Sequence, residues 1–144
     1  MSVELDAWAA FKTACTGSVT LAAYVKTFKF YRTAEQFQPA QHPVLMAWVD
    51  SIPNDNYFEF PKRKKVELKI ILNGIIMQTG NSLEDELLHY DALIKNAAET
   101  DITLGGKAII TNIGASGFHG LSEGVVLVQI PAIITLPIIT AGNR

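Results

Sequence analysis

The segment GVVLVQIPAIITLPIITAG, residues 124–142, is a long apolar stretch whose composition decides between a membrane span and a strand. A membrane-spanning helix needs roughly 20 apolar residues, and this segment nearly has that length. However, Gln129 interrupts it, and Pro131 and Pro137 would each remove a helical hydrogen bond. The remaining residues are mostly Val, Ile and Thr, whose branched side chains suit a pleated sheet. We therefore predict β structure here and expect no membrane partner.

The two prolines subdivide this predicted strand. Residues 125–130 form its first part, and residues 132–136 continue it. Within sheets, proline occurs at edges, at bulges or at strand ends. We therefore expect Pro131 to mark a bulge or a change of pairing partner, and Pro137 to begin an edge.

The composition is typical of one folded domain, residues 1–144, that buries surface against other copies or partners. Apolar residues make up 49% and charged residues 18%, and the formal net charge is −2. This balance suggests no nucleic-acid footprint. The single cysteine, Cys15, excludes an internal disulfide. Glu4 and Asp6 stand where a signal peptide would carry positive charge, so no export signal is expected.

Two further strands are predicted in the first half of the chain. Residues 41–50 form one, and the turn-rich residues 51–56 follow it. Residues 64–77 form the other, with Gly74 expected at a bulge or at the point where an edge turns. Its apolar side chains alternate, which gives the strand one buried face. The residues on that face are Val66, Leu68, Ile70 and Leu72.

A strand is also predicted over residues 107–113, after a Gly-Gly break. The Gly- and Ser-rich residues 115–124 follow it. This composition predicts an exposed loop that joins two antiparallel strands.

Two main helices are predicted, one over residues 3–16 and one from the N-cap Ser82 to about Thr100, with a short helical turn at residues 18–25. Apolar side chains recur at helical spacing on both main helices. They are Trp8, Ala9, Phe11, Ala14 and Cys15 on the first helix, and Leu83, Leu87, Tyr90, Ile94 and Ala97 on the second. The resulting order predicts an α+β fold, a mostly antiparallel sheet with two main helices packed on one face, its core over about residues 40–140.

The residues that could carry catalysis do not form a convincing site. Residues 105–107, GGK, lack the rest of a phosphate-binding loop and lie between a helix and a strand, so a helix end and turn is the better interpretation. The predicted loop contains the residue types of a hydrolase triad, but a glycine-rich tip offers no rigid nucleophile or oxyanion hole. Those residues are Ser116, His119, Ser122 and Glu123. No catalytic residue is predicted.

Metal and cofactor sites are not predicted either. His42 and His89 lack the spacing of a zinc site, and His89 is expected at the surface. Residues 54–56, Asn-Asp-Asn, are not followed by the glycine and distal glutamate of a calcium loop, so they are assigned to a turn.

Two charged clusters remain, the basic PKRKK of residues 61–65 and the acidic Glu84, Asp85 and Glu86. Either cluster can be a solvated face, and lysines also block unwanted pairing at sheet edges. A second hypothesis is that the two clusters meet between neighbouring copies in a head-to-tail ring. A third is that the basic run contacts DNA that passes through a lumen, although four charges in a copy are few.

The chain as a whole resembles the tail terminator proteins of long-tailed bacteriophages, also called tail-completion or head-to-tail joining proteins. The resemblance covers about residues 40–140 and rests on a series of short structural motifs. They run HPVLMAWVD, VELKIILNGIIM, LEDELLHYDALIKNAAE, TDITLGGKAIITNIG and GVVLVQIPAIITLPI. The last strand is more apolar here than is common in that family.

The resemblance implies a structural virion protein without catalytic residues or cofactor. Subunits of this family form a ring, commonly a hexamer, on the head-proximal end of the tail tube. The ring stops tube polymerisation and presents a surface to the head connector or stopper. The implied partners are therefore other copies, the tail tube protein and the connector, with DNA passing through the lumen. The implied location is the virion neck, after assembly in the host cytoplasm.

The resemblance also gives the apolar and charged surfaces a use. Side chains left on the outer face of the last strand can be buried against a neighbouring subunit. The subunit-interface candidates are Ile133, Ile134, Ile138 and Ile139, together with Lys62, Arg63, Lys64, Lys65, Glu84, Asp85 and Glu86. The candidates in the predicted loop for contacting the tube or the connector are Phe118, His119 and Leu121.

Other functions stay open from the sequence. The chain could be another neck or tail component, such as a connector stopper, a tube subunit or a baseplate subunit. It could also be a small ligand-binding domain or enzyme of α+β type, which would need a concave site with convergent polar groups.

Overall fold

The fold was determined as a computed structural model, which describes residues 2–33, 36–52, 55–58, 63–77, 83–122 and 124–137. Side chains at residues 55–58, 63–65 and 122 are not described. The helices are α1 (Val3–Thr16), α2 (Val19–Tyr24) and α3 (Leu83–Glu99), with 3-10 turns at Pro39–Gln41 and Leu104–Gly106. The strands are β1 (Thr27–Lys29), β2 (Val44–Ser51), β3 (Asp55–Phe58), β4 (Arg63–Met77), β5 (Ile110–Ile113), β6 (Gly117–Ser122) and β7 (Val125–Thr135).

Seven strands within the described residues form one sheet, which confirms the predicted α+β class. Its order is β1-β2-β4-β7-β5, with β3 paired to β4 and β6 paired to β7. Every pairing is antiparallel except that of β1 with β2. The sequence did not predict β1, which has three residues and follows α2 directly.

Pro131 lies at a change of pairing partner, one of the two positions predicted for it. On one side of β7, β4 pairs without a register shift from Val125 to Thr135. On the other side, β6 pairs with β7 up to Gln129, and β5 pairs with it from Ala132. The Pro131 carbonyl faces this second side and accepts from the Gly114 N–H at 2.8 Å. Because nitrogen and oxygen of one strand residue point to the same side, the missing N–H of Pro131 faces the gap between β5 and β6.

The main core lies between the helices and one face of the sheet. The β4 side chains predicted to share a buried face do so, since Val66, Ile70 and Leu72 are fully buried and Leu68 nearly so. The apolar stripe predicted for α3 also packs on this core through Leu87, Tyr90, Ile94 and Ala97. On α1, Phe11 and Cys15 are buried as predicted. Ala9 is exposed instead, and Ala7 takes the buried place one turn before Phe11.

Gly74 allows close contact between the sheet and α3, and the predicted bulge is absent from its pairings. Both strands beside it keep their register there, with Leu45 on one side and Val128 on the other. A Cβ atom at residue 74 would lie 2.8 Å from the Tyr90 ring and 2.9 Å from Ile94 Cδ1. The Tyr90 ring therefore lies directly on the strand backbone. From there its hydroxyl donates to the Val44 carbonyl at 2.6 Å.

We expect Gly74→Ala to lower the free energy of unfolding by about 1–3 kcal/mol, since an added methyl overpacks a rigid contact. Gly120→Ala is a matched control, because a Cβ atom there meets nothing within 4 Å. The control should be neutral or slightly stabilising through the unfolded chain. Urea denaturation followed by circular dichroism measures both. Equal midpoints for the two variants would contradict the close contact.

The predicted loop over residues 115–124 is wrong, because most of it forms β6. Strand β6 pairs with β7 from Gly117↔Gln129 to Ser122↔Val125, with a register shift between Gly120 and Ser122. Glycine has a low intrinsic preference for strands, which is why these residues indicated a loop. Pairing with the apolar central strand β7 outweighs this local preference. The strand predicted over residues 107–113 is shorter. Its first residues belong to a turn in which Ala108 N–H donates to the Thr103 carbonyl at 3.0 Å.

The opposite face of the sheet carries a second, smaller apolar cluster. Its buried members are Val44, Met46, Ile75 and Leu127. Residues of the connection between β1 and β2 cover part of it, because Phe37 packs against the cluster. We call this side of the sheet the open face, since no helix of the described residues packs on the cluster.

Candidate interaction surfaces

The residues that resembled a hydrolase triad are held apart by the sheet. The Ser116 hydroxyl donates to Asp91 Oδ1 on α3, and Lys95 Nζ lies 3.2 Å from Asp91 Oδ2. His119 pairs in register with Leu127, whose side chain belongs to the open face. Ser116 is therefore bound on the helix side, and His119 is not its partner. Glu123 lies outside the described residues.

The GGK turn is organised by Asp101 and carries no site for phosphate. The carboxylate of Asp101 accepts from the Thr103 hydroxyl at 2.9 Å and from the Gly105 N–H at 2.7 Å. Gly105 and Gly106 have φ values of 65° and 89°, which favour glycine. The Gly106 and Lys107 N–H groups donate to the carbonyls of Thr103 and Leu104. The donors of this turn thus already have partners within the turn, as expected for a helix end followed by a turn.

Asp101→Ala should lower stability at neutral pH through loss of this turn. The hydrogen bonds from Thr103, and then from Gly105, hold the Asp101 pKa below its usual value. Because the pKa is lower in the folded state, the stabilisation is present above the unfolded-state pKa of about 3.9 and is lost as pH falls through the folded-state pKa. The stability difference between wild type and variant, from urea denaturation, should therefore shrink below pH 4. A difference that is constant down to pH 2 would contradict this role.

Metal-binding geometry is also absent from the part of the chain that the structure describes, since no group of three or more potential ligands occurs there. His89 is exposed, as predicted, and its ring stands edge-on to Tyr24 at 5.4 Å between centroids. His42 is buried beside Phe37, at 6.3 Å between ring centroids. The turn assigned to residues 54–56 is wrong for Asp55 and Asn56, which belong to β3. Asn54 lies outside the described residues.

The two charged clusters lie at opposite ends of β4. Arg63, Lys64 and Lys65 form its first residues, where they pair with β3; Lys62 lies outside the described residues. The acidic residues form the first turn of α3, which follows the other end of β4. Twelve residues separate Lys65 from Met77, so the two ends are ~40 Å apart at about 3.4 Å per residue. Charges so far apart do not pair within one copy.

Within the acidic cluster, Glu84 and Asp85 are exposed and Glu86 is half-buried. Glu86 lies near Tyr24 of α2. Burial, and then the negative charge of Glu86, raises the pKa of Tyr24 to about 12. Two of the three carboxylates are therefore available to a partner.

The interface candidates on β7 fall on different faces. Ile134 is fully buried in the main core, so its expected place on the outer face is wrong. Neighbouring strand residues point to opposite faces, and Ile133 is half-buried on the open face, in register with Lys69 and Asn112. Ile138 and Ile139 lie outside the described residues. The sequence already indicated which face is outward. Gln129 and Thr135 are polar and lie an even number of residues from Ile133, so they share its face of the strand.

The candidates predicted on a loop lie instead on an edge strand. Phe118 is 46% exposed and Leu121 53% exposed, and His119 between them is exposed as well. Strand β6 pairs with β7 on one side, and no described strand pairs with its other side. Residues 117–121 contain no Lys, Pro, Asp or Glu, the residues that commonly protect an edge. This edge is therefore suited to pairing with another chain.

The open face contains a groove that the sequence patterns did not predict. It has a volume of about 500 Å³, and its walls include Phe37, His42, Trp48 and Leu121. The signal available was the second alternating set of β4, where Ile71, Ile75 and Met77 are apolar although they do not face the helices.

Among the described residues, no helix combines the length and the apolar character that a membrane span requires.

Comparison with known proteins shows a similar fold but no related sequence. No protein-family model matches the sequence, and no curated protein matches it. A solved chain described as "Virion of native gene transfer agent (GTA) particle" has a similar structure, with a TM-score of 0.57. The similarity covers 90% of this chain and 92% of that chain, at 10% sequence identity. At this level of identity, the likeness shows that the two chains share a fold.

Proposed function

We propose that this chain is a structural protein of a phage-like virion, and specifically a tail terminator. In this role it forms a ring on the head-proximal end of the tail tube, ends tube polymerisation and joins the tail to the head connector. The observation that carries the proposal is the fold, which matches nearly the whole length of a chain from a gene transfer agent virion. The sequence motifs described above independently resemble the terminator family.

The positions of the charged clusters support a head-to-tail ring. A ring joins two different surfaces of the same subunit. The basic start of β4 and the acidic start of α3 carry opposite charge and lie at opposite ends of the sheet. The acidic turn of one copy can therefore meet the basic residues of the next. We expect a hexamer, the usual ring of the family that this chain resembles.

The β6 edge supports contacts with other virion proteins. Its exposed Phe118 and Leu121 lie on an edge that no described strand pairs with. An extended segment of the tube protein or of the connector can add to such an edge through backbone hydrogen bonds. The proposed role involves no catalysis and no cofactor, and the separation of Ser116 from His119 is consistent with that. DNA would pass through the lumen of the ring.

Light scattering on the purified chain, with and without tail tubes, tests the proposal. We expect a finite ring, or a monomer that forms a ring when tubes are added, together with tubes of defined length in electron micrographs. Open-ended polymers would indicate a tube subunit. Binding to isolated connectors without binding to tubes would indicate a stopper. A monomer that binds neither would contradict a neck role and would favour a ligand-binding domain.

A further inference from the structure

The groove on the open face combines apolar walls with a side-chain amide. Met46, Trp48, Leu121 and Leu127 contribute apolar surface. Asn73 also lines the groove and is 9% exposed. This half of the open face is thus a concave apolar surface with a polar centre.

The polar centre is a cross-strand pair of Asn73 and Gln129, which lie opposite each other in β4 and β7. Gln129 Nε2 donates to Asn73 Oδ1 at 3.1 Å. That bond uses one donor group and one acceptor group of the pair. The NH2 group of Asn73 and the carbonyl oxygen of Gln129 take no part in this bond. One donor and one acceptor side by side match the C=O and N–H of an extended peptide.

We propose that this groove receives the segment after Pro137 from a second copy of the chain, with Ile138 and Ile139 against its apolar walls. The inference rests on the proposed ring, and it names the contact that joins neighbouring subunits. Two adjacent isoleucines are costly to leave in water, because burial of each apolar side chain is favourable. They follow a proline, which cannot donate to a sheet, so pairing within the same sheet is interrupted at that point.

The reach of the chain identifies the donor copy. Trp48 forms the near wall of the groove and is level with Ile71 and Pro131 across the sheet. Pro131 is five residues from Leu136, which is ~17 Å along an extended strand, and β2 lies a further two strand spacings, ~10 Å, to the side. Ile139 is three residues beyond Leu136 and extends at most ~11 Å from it. Gln129 and Asn73, at the centre of the groove, are level with each other and seven residues from Leu136, which is ~24 Å. Ile138 and Ile139 therefore cannot reach the centre of the groove of their own copy. They leave at one end of β7, and the groove lies at the other, so the contact joins unlike surfaces of two copies. Repetition of such a heterologous contact closes a ring when the rotation between neighbouring copies divides a full turn.

Tryptophan fluorescence tests the occupant directly, because Trp48 lines the groove and Trp8 packs on Phe11 in the helix layer. The receptor is the full chain with Trp8→Phe, Ile138→Ser and Ile139→Ser, which leaves Trp48 as the reporter and removes the apolar side chains of its own segment. The probe is a synthetic peptide of residues 136–144, LPIITAGNR. We expect a saturable change in Trp48 emission. The same peptide with both isoleucines replaced by Ser should bind at least about tenfold more weakly. Equal binding of the two peptides, or no change with either, would overturn the proposal.

Cysteine cross-linking then identifies which copy supplies the segment. Leu121→Cys and Ile139→Cys place one thiol at the groove and one on the segment. Cys15 does not compete, because it is 1% exposed and burial raises its pKa to about 12. Under oxidation we expect covalent multimers, up to a closed ring, which reduction returns to monomers. A disulfide within one copy, or no disulfide at all, would overturn the proposal.

The native chain separates this inference from the proposed function. If native rings form and Ile138→Ser with Ile139→Ser leaves their number and stability unchanged, the groove contact is wrong and the ring function stands. If the native chain forms no ring with or without tail tubes, the proposed function itself fails.

Discussion

Replacing Ile134 by Ala is expected to lower the free energy of unfolding by about 2–5 kcal/mol, the cost of a cavity in a packed core. Ile134 is fully buried, with 0% of its side chain exposed to solvent, and it belongs to the core cluster that β7 shares with the helices. Surrounding strands β4 and β5 hold the backbone on both sides, since Ile134 is in register with Leu68 and Thr111. The site therefore has little freedom to collapse around the missing atoms. Urea denaturation followed by circular dichroism measures the loss.

Ile133→Ala is the matched control, because it removes the same atoms from the next residue on the other face. Ile133 is half-buried, so its loss should cost about 1 kcal/mol in the isolated subunit. If the open face is a subunit contact, Ile133→Ala should affect ring formation more than unfolding. Equal losses of stability for the two variants would contradict the assignment of faces.

The double reversal Lys64→Glu with Lys65→Glu is expected to weaken self-association about tenfold and to make it less sensitive to salt. An exposed ion pair contributes about 0.2–1 kcal/mol, and reversal replaces attraction by repulsion of similar size. Two such reversals at one interface amount to about 1–4 kcal/mol, and about 1.4 kcal/mol already corresponds to a tenfold change in the association constant. Light scattering across protein and salt concentration gives both quantities.

Two further variants separate this interface effect from a change of net charge. Lys107→Glu reverses one charge at an exposed turn that belongs to neither cluster, and it should leave association unchanged. Adding Glu84→Lys and Asp85→Lys to the double reversal exchanges the two clusters and should restore association. If the exchange fails to restore it, the two clusters do not meet.

The predictions that succeeded from the sequence rest on periodicity that a single segment contains. The stripe of α3 and the alternation of β4 each place apolar side chains on one face of the element. That face is the one that becomes buried. Pro131 was predicted at a bulge or a change of partner, and the structure shows the second, because its missing donor faces the gap between β5 and β6. Local chemistry restricts a proline to a few places in a sheet.

The predictions that failed depended on what lies beside a segment. Glycine at residues 117 and 120 indicates a loop locally, yet β7 offers an unpaired edge that makes this segment a strand. Gly74 indicates a bulge, yet the Tyr90 ring requires a site without a side chain. Ile134 was assigned outward because adjacent isoleucines look alike, whereas the helices cover the face that contains it.

Patterns within the sequence were sufficient to predict the α+β class, the two main helices with their buried stripes, the strand that begins at Val125 and the separation of the two charged clusters along the chain. The tertiary structure alone decided which face of β7 is inward, which edge of the sheet is left open, and that Asn73 and Gln129 meet in a groove. The physical reason is that periodicity records which residues of one segment share a face. Pairing register and packing between distant segments then decide which of those faces is covered.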